Sequence, residues 1–183
     1  MTEKIAIILG SARKNSDTKF YADIVFKEQN HKIFDLLDFE ISTYSYDNKY
    51  PISDKFLNLI DELLNFETFV FATPVYWYSM SGLMKTFFDR LTELKKEKKE
   101  IGRKFKNKSV LLLVAGSDKE IPLGFEIPFK LTSEYFDMTY KNHIYFSTTH
   151  IKTENENIEI KRNFINNIEK KVTENNEWNK KIF

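Results

Sequence analysis

The chain has 183 residues, a mass of 21.8 kDa and a formal net charge of +1 at pH 7. This size suits a single domain, residues 1–183, and the near-neutral charge disfavours nucleic-acid binding, which usually needs a basic face. Cysteine is absent, which excludes disulfides, cysteine-ligated metals and thiol catalysis, and the dispersed His31, His143 and His150 form no metal-ligand pattern.

Apolar runs of strand length alternate with amphipathic stretches of helical spacing. In chain order, the pattern predicts a strand at 5–9, a helix at 17–29, a strand at 32–37, a helix at 54–65, a strand at 68–72, a helix at 82–94, a strand at 109–115, a helix at 128–136, a strand at 140–146 and a helix at 158–172. Such alternation predicts an α/β fold in which helices cover both faces of a parallel sheet.

The remaining segments carry weaker signals. The last predicted helix would turn one apolar face inward, formed by Ile160, Phe164, Ile165, Ile168 and Val172. Residues 42–53 form a polar loop with several tyrosines, and the lysine-dense residues 94–108 are predicted to be an exposed connection. The apolar run at 5–9 is too short for a signal-peptide core and no stretch is long enough to span a bilayer, so we expect a cytoplasmic protein without a membrane partner.

Open parallel sheets bind ligands at the carboxyl ends of their strands, so the loops after the first, third and fourth strands are the candidate site. The first loop, residues 10–18, has the sequence GSARKNSDT and leads into a helix. Its hydroxyls, its arginine and the helix N-terminus together could bind a phosphate. Alternatively, Ser16 or Asp17 only caps the helix. The loop lacks both GxxxxGK[ST] and GxGxxG, so neither common nucleotide motif is present.

The other two loops suggest a flat ligand. The aromatic loop, residues 73–82, contains Tyr76, Trp77 and Tyr78 in succession after a buried strand. These rings could border a planar molecule, contact a second subunit or pack on the protein itself. The glycine loop, residues 115–118, places Gly116 directly after a strand, where a backbone can approach a ligand closely or simply turn. A phosphate site beside planar surfaces describes FMN better than ATP or a sugar phosphate.

Two motifs carry a resemblance to a known family. Residues 73–90, TPVYWYSMSGLMKTFFDR, are similar to a pattern of P-x-Y, then S-x-S/P, then LK, then DR, and residues 10–18 are similar to GSxRxxSxT. In this order, the motifs resemble the NAD(P)H-dependent FMN reductase and quinone reductase family of the flavodoxin-like superfamily. The resemblance runs from the first strand to the fifth. It implies a flavodoxin-like three-layer sandwich with a five-stranded parallel sheet of order 2-1-3-4-5.

The resemblance also implies cofactor-binding residues. The FMN phosphate would be held by Ser11, Arg13, Ser16, Asp17 and Thr18. The flavin ring would be bordered by Pro74, Val75, Tyr76, Trp77, Tyr78 and Ser79, and its pyrimidine side by Gly116 and Ser117. No catalytic side chain and no metal ligand is assigned. Lys85, Asp89 and Arg90 would have structural roles, in joining the third helix to neighbouring loops or to a second subunit.

Two departures from the family pattern bear on these roles. Relatives that bind a metal cluster carry cysteines after the second strand, whereas this chain has STYSY at residues 42–46, so the cluster is excluded. The glycine loop has fewer glycines than in many relatives, which leaves its flavin contacts open.

The implied activity is a hydride transfer from NADPH or NADH through flavin N5 to a small planar acceptor such as a quinone or a flavin, in a ping-pong mechanism. The alternative is a non-enzymatic FMN-binding electron carrier or flavin sensor. The sequence pI of about 7.8 disfavours a carrier, since such proteins tend to be acidic.

Partners follow from the same resemblance. We expect a homodimer in which Trp77, Tyr78 and the loop at 42–53 contact the second subunit. The lysines between residues 95 and 108 are expected to be a solvated surface, with a sharper hypothesis that some attract the 2′-phosphate of NADPH.

Overall fold

A computed structural model describes residues 5–150 and 154–169, with side chains for 158–166 of the second range. The strands are β1 (Ile5–Leu9), β2 (His31–Asp35), β3 (Thr68–Pro74), β4 (Ser109–Gly116) and β5 (Thr139–Ser147). The helices are α1 (Asp17–Phe26), α2 (Phe56–Leu63), α3 (Gly82–Arg90), α4 (Thr92–Lys96), α5 (Lys99–Arg103), α6 (Ile127–Tyr135) and α7 (Glu154–Glu169), with a 3-10 turn at Leu36–Asp38.

The five strands form one parallel sheet in the order β2-β1-β3-β4-β5, which confirms the expected fold class. Every residue of β1 is buried, as a continuous apolar run requires of a central parallel strand. Residues of β3 alternate between the two faces of the sheet. Phe69 and Phe71 join the core beneath α2, α3 and α6, while Val70 and Ala72 join the core beneath α1 and α7.

Several predicted boundaries shift for local reasons. The second strand ends at Asp35 because its carboxylate accepts a 3.0 Å hydrogen bond from the backbone of Leu37 and caps the 3-10 turn. The predicted helix at 82–94 ends at Arg90, and α4 follows after one residue. The last helix begins at Glu154, and its residue Phe164 is buried against the sheet as expected. The side chain of Ile168 and the whole of Val172 lie outside the described residues.

The prediction that residues 94–108 form an exposed connection is correct only in part, since residues 96–100, 103, 104, 106 and 107 are exposed but the segment is helical and partly buried. The segment forms most of α4 and all of α5, and Leu94 and Phe105 are buried in the core. Lys108 is also buried, and its ammonium group donates to the carbonyl oxygens of Leu64 at 3.1 Å and Phe66 at 2.5 Å. The end of this segment leads into the start of β4, and Phe105 there packs on Phe69 near the start of β3, so this end lies near the amino edge of the sheet.

Candidate functional site

Three loops meet at the carboxyl edge of the sheet. β1, β3 and β4 are adjacent and parallel, so the first loop, the aromatic loop and the glycine loop all follow strand ends on the same side. The strand order reverses between the neighbouring strands β1 and β3, the place where open parallel sheets bind ligands. The predicted site residues therefore share one edge of the sheet.

The first loop combines a helix cap with an unpartnered hydroxyl. Ser16 caps α1 by accepting a 3.2 Å hydrogen bond from the backbone of Lys19, and a role in binding phosphate stays a prediction for this residue. Ser11 is 1% exposed, and its Oγ is the buried side-chain polar atom without a hydrogen-bond partner among the residues the structure describes. Buried hydroxyls are normally satisfied, which makes Ser11 Oγ a candidate ligand contact.

The charged residues of the first loop differ in their surroundings. Arg13 is exposed and forms a 3.1 Å ion pair with Asp17 in the first turn of α1. Lys14 contacts Asp35, the last residue of β2, at 3.0 Å and Asp38, at the end of the following 3-10 turn, at 2.5 Å. The hydrogen bond to Asp38 raises the pKa of Lys14, which keeps it cationic at neutral pH. Thr18 is buried within α1.

The aromatic loop is anchored at both ends. The backbone of Ser81 donates a 3.1 Å hydrogen bond to Thr73 Oγ1 at the end of β3. Ser81 Oγ in turn accepts a 3.1 Å hydrogen bond from the backbone of Met84, as the N-cap of α3, and donates to the carbonyl oxygen of Gly10. Pro74 and Val75 are half-buried between these anchors.

The tip of the aromatic loop is a strained two-residue turn. Tyr76 and Ser79 exchange backbone hydrogen bonds of 2.9 and 3.1 Å, which leaves Trp77 and Tyr78 at the tip. Both tip residues have positive φ, 49° and 63°, a conformation that costs bulky side chains energy. Trp77 is 92% exposed and Tyr78 is 70% exposed, so these rings do not pack on the protein itself. Ser79 is also exposed.

The glycine loop lies close to a tyrosine on β5. A Cβ added to Gly116 would meet Tyr145 Oη at 2.7 Å and Val75 Cγ2 at 3.0 Å, so only glycine fits without a shift. Tyr145 Oη donates a 2.8 Å hydrogen bond to the carbonyl oxygen of Asp118, and burial raises the pKa of Tyr145, which keeps the hydroxyl protonated. The exposed Ser117 presents its side chain at this edge, while its carbonyl oxygen accepts from Thr149 Oγ1.

Sequence reasoning missed several residues that shape this site. Ser81 could have been found as a helix cap, since serine directly precedes a predicted helix. Lys14 and Tyr145 carried no local signal, because each acts through a partner distant in sequence. Arg90 was expected to tie α3 to a neighbouring loop, and it does so by hydrogen bonds to Asp54 and to the carbonyl oxygen of Ser42.

The lysine-rich segment has two different surroundings. Lys96 lies 5.9 Å from the ring centre of Tyr46, and Glu97 accepts a 3.3 Å hydrogen bond from the side chain of Asn48, so α4 contacts the loop at 42–53. The end of the segment leads into β4, where Lys108 is buried. Attraction of the 2′-phosphate of NADPH by these lysines stays a prediction. Within the described residues, no group of side chains could hold a metal ion and no helix is long and apolar enough to cross a membrane.

Comparisons with known proteins agree with this architecture. A family model described as NADPH-dependent FMN reductase matches residues 3–152. A protein of Bacillus subtilis (strain 168) named "Putative NAD(P)H-dependent FMN-containing oxidoreductase YwqN" is 23% identical over 150 residues, which cover 77% of this chain and 83% of that protein.

Solved structures share the fold. The Trp repressor binding protein from Bacillus subtilis superposes with a TM-score of 0.65 at 19% identity, over 90% of this chain and 96% of that one. The flavoenzyme NAD(P)H:(acceptor) oxidoreductase FerB from Paracoccus denitrificans superposes with a TM-score of 0.64 at 14% identity, over 91% and 95% of the two chains. At these identities the superpositions establish a common flavodoxin-like architecture.

Proposed function

The chain belongs to the NADPH-dependent FMN reductase family, and from that premise we propose that it passes hydride from NADPH or NADH to a small planar acceptor, such as a quinone or a flavin, by a ping-pong mechanism. Membership makes the chain an NAD(P)H-dependent oxidoreductase that uses FMN as its cofactor. When bound, FMN supplies the hydride acceptor at N5 and the donor for the second substrate. The acceptor and the kinetic order are the new parts of this proposal.

The observation that carries the proposal is the buried, unpartnered hydroxyl of Ser11 at the start of the first loop. A phosphate oxygen would give this hydroxyl the acceptor it lacks, and the N-terminus of α1 favours negative charge at the same place. The residues that would hold the phosphate are Ser11, Arg13, Ser16, Asp17 and Thr18. Within this set Asp17 would act by orienting Arg13, with which it already pairs, and Ser16 through its backbone.

The aromatic and glycine loops fit the planar ring of FMN. Exposed apolar surface at the strained tip would be covered by a flat ligand, so the ring would be bordered by Pro74, Val75, Tyr76, Trp77, Tyr78 and Ser79. The missing side chain of Gly116 leaves the backbone of the glycine loop open, so Gly116 and Ser117 would offer peptide groups to the polar edge of the ring.

A single open face over the bound ring would account for the proposed kinetic order. The tip rings of Trp77 and Tyr78 would border one slot, in which the nicotinamide and the acceptor must bind in turn. These side chains would orient a planar substrate and exclude water from it. We assign no acid or base to the protein, because hydride transfer to the flavin needs none.

We further propose that the protein is a cytoplasmic homodimer. Trp77 and Tyr78 on the aromatic loop, and Tyr46 and Ile52 on the loop at 42–53, are large exposed apolar side chains of the kind found at subunit contacts. Sedimentation of the FMN-loaded protein tests this part, and a monomer at micromolar concentration would contradict it.

The reaction is tested by spectroscopy followed by initial rates. Purified protein is first titrated with FMN, and NADPH or NADH is then added without oxygen while the flavin absorption is followed. We expect a bound flavin that is bleached by reduced nicotinamide, and parallel double-reciprocal plots when NADPH and a quinone are varied together. Failure to bind excess FMN would overturn the site, whereas intersecting plots would overturn the ping-pong order alone.

A further inference from the structure

One cation of the first loop, Lys14, forms ion pairs with two of the protein's own carboxylates. Lys14 Nζ lies 3.0 Å from Asp35 Oδ2 and 2.5 Å from Asp38 Oδ1. Two of the three protons of the ammonium group are thereby used. Lys14 therefore bridges the first loop to the end of β2, across a separation of more than twenty residues.

The Asp35 carboxylate lies close to where the first loop begins. Asp35 pairs in register with Leu9, the last residue of β1, so it is one strand away from the start of the loop. The side chain of Asp35 is largely buried, and its other oxygen accepts the backbone of Leu37. A buried carboxylate is poorly screened, so its charge acts on neighbouring groups more strongly than an exposed one would.

We propose that Lys14 is a positioning residue for the flavin phosphate, which acts by offsetting the negative charge of Asp35 and Asp38 rather than by touching the phosphate. The inference rests on the proposed function, in which the first loop holds the phosphate of FMN. Two unpaired carboxylates at the end of β2 would repel this anion. With Lys14 between them, the field at the loop is much less negative, and the loop is tethered to the sheet.

A stability role alone does not account for this arrangement. Lys14 and Asp38 are exposed, so this pair contributes little to folding, whereas the pair with the largely buried Asp35 also holds the loop to the sheet. Replacing Lys14 should therefore raise the dissociation constant for the phosphate-bearing ligand FMN. Riboflavin, which has the same ring without the phosphate, separates the two effects.

The test measures dissociation constants for FMN and riboflavin in four proteins: wild type, Lys14→Gln, Asp38→Asn and the double variant. We expect Lys14→Gln to weaken FMN binding about tenfold at low salt, to weaken riboflavin binding less than twofold, and to lose most of its effect at high salt. Adding Asp38→Asn to Lys14→Gln should restore most of the lost FMN affinity, because a repelling charge is removed.

Lys32→Gln is the matched control. Lys32 is as exposed as Lys14 and forms a 2.6 Å ion pair with Glu62, but it lies at the opposite end of β2. Its replacement should leave both constants unchanged. If the double variant binds FMN as weakly as Lys14→Gln, then Lys14 contacts the phosphate and the proposal is wrong. Equal losses for FMN and riboflavin would also overturn it. A wild-type protein that binds no FMN would instead refute the proposed function.

Discussion

Ser81 Oγ donates a hydrogen bond to the carbonyl oxygen of Gly10, which lies 71 residues earlier in the chain. The same hydroxyl accepts from the backbone of Met84 and so fixes the N-terminus of α3 against the end of β1. This approach is possible because Gly10 has no side chain, since a Cβ there would lie 2.9 Å from Met84 Cβ. The first loop and the aromatic loop are therefore one connected unit.

Two serines of this unit should respond in opposite ways to replacement by alanine. Ser11→Ala removes a buried hydroxyl that has no partner, so the ligand-free protein should become more stable by about 1 kcal/mol. The same change should weaken FMN binding about tenfold, since a phosphate contact is lost. Urea unfolding of the ligand-free protein and fluorescence titration with FMN measure the two quantities.

Ser81→Ala is the control for this pair. It breaks a helix cap and a buried hydrogen bond, so the ligand-free protein should lose about 1–2 kcal/mol. If Ser11→Ala destabilised the ligand-free protein as much as Ser81→Ala does, the Ser11 hydroxyl would have a structural partner, and the principal support for the phosphate site would be gone.

The aromatic turn should show a conflict between stability and activity. Trp77→Gly places glycine, which adopts positive φ without steric cost, at a strained position. Tyr46→Gly removes a similarly exposed ring at a position without this strain. We expect Trp77→Gly to be more stable than Tyr46→Gly by about 1–2 kcal/mol. Trp77→Gly should also raise the KM for a quinone severalfold. Unchanged quinone kinetics would exclude Trp77 from the acceptor slot.

The glycine loop offers a test by repair. Gly116→Ala places a methyl group 2.7 Å from Tyr145 Oη, so the loop must shift and FMN binding should weaken at least tenfold. Adding Tyr145→Phe removes the clashing oxygen and should restore part of this affinity, although Val75 still lies 3.0 Å from the added methyl group. Tyr145→Phe alone serves as the reference for the lost bond to Asp118. If Tyr145→Phe restored none of the FMN affinity, the clash with Tyr145 Oη would not be the cause of the weaker binding in Gly116→Ala.

The strands and the three loops could be predicted because their signals are local. A run such as residues 5–9 is apolar throughout, and parallel strands bring the loops after them to one edge whatever the details. Charge density suggested exposure for residues 94–108, yet Lys108 is buried because two backbone carbonyl oxygens satisfy its ammonium group.

Other features depended on contacts that sequence does not display. The turn at Trp77 and Tyr78 has positive φ at both tip residues, where glycine or asparagine would be the usual signal. Nothing in the pattern pairs Lys14 with Asp35, because their proximity depends on the register between β1 and β2. Long-range polar contacts are fixed by the assembled sheet, so they become visible only in the structure.

Arg90 should be essential for the fold. It is 1% exposed, pairs with Asp54 and Glu93, and stacks 3.5 Å from the ring centre of Tyr50. Arg90→Ala leaves two buried carboxylates unpaired and should cost about 3–5 kcal/mol of unfolding free energy. The control Arg103→Ala breaks an exposed pair with Glu100 and should cost less than about 1 kcal/mol. If the two variants lost the same unfolding free energy, the buried network would stabilise the fold no more than an exposed ion pair does.

The same network predicts how stability depends on pH. Burial alone would raise the pKa of Asp54, but hydrogen bonds from Arg90 and from the backbones of Ser42 and Phe56 outweigh it and lower that pKa below its ordinary 3.8. The unfolded carboxylate therefore binds a proton at a higher pH than the folded one, and unfolding free energy rises with pH across this window. The contribution is complete above about pH 5 and is lost as the pH falls through the lowered folded value.

Asp54→Asn should therefore flatten the stability curve between about pH 2 and pH 5 as well as lower its plateau. Urea midpoints measured at intervals over this range give the slope, with Asp61→Asn on the exposed surface of α2 as the control variant. Glu126 contributes in the same direction, since hydrogen bonds from Lys130 and Tyr140 outweigh its burial and lower its pKa. A slope unchanged in Asp54→Asn would show that Arg90 does not hold this carboxylate ionised in the folded protein.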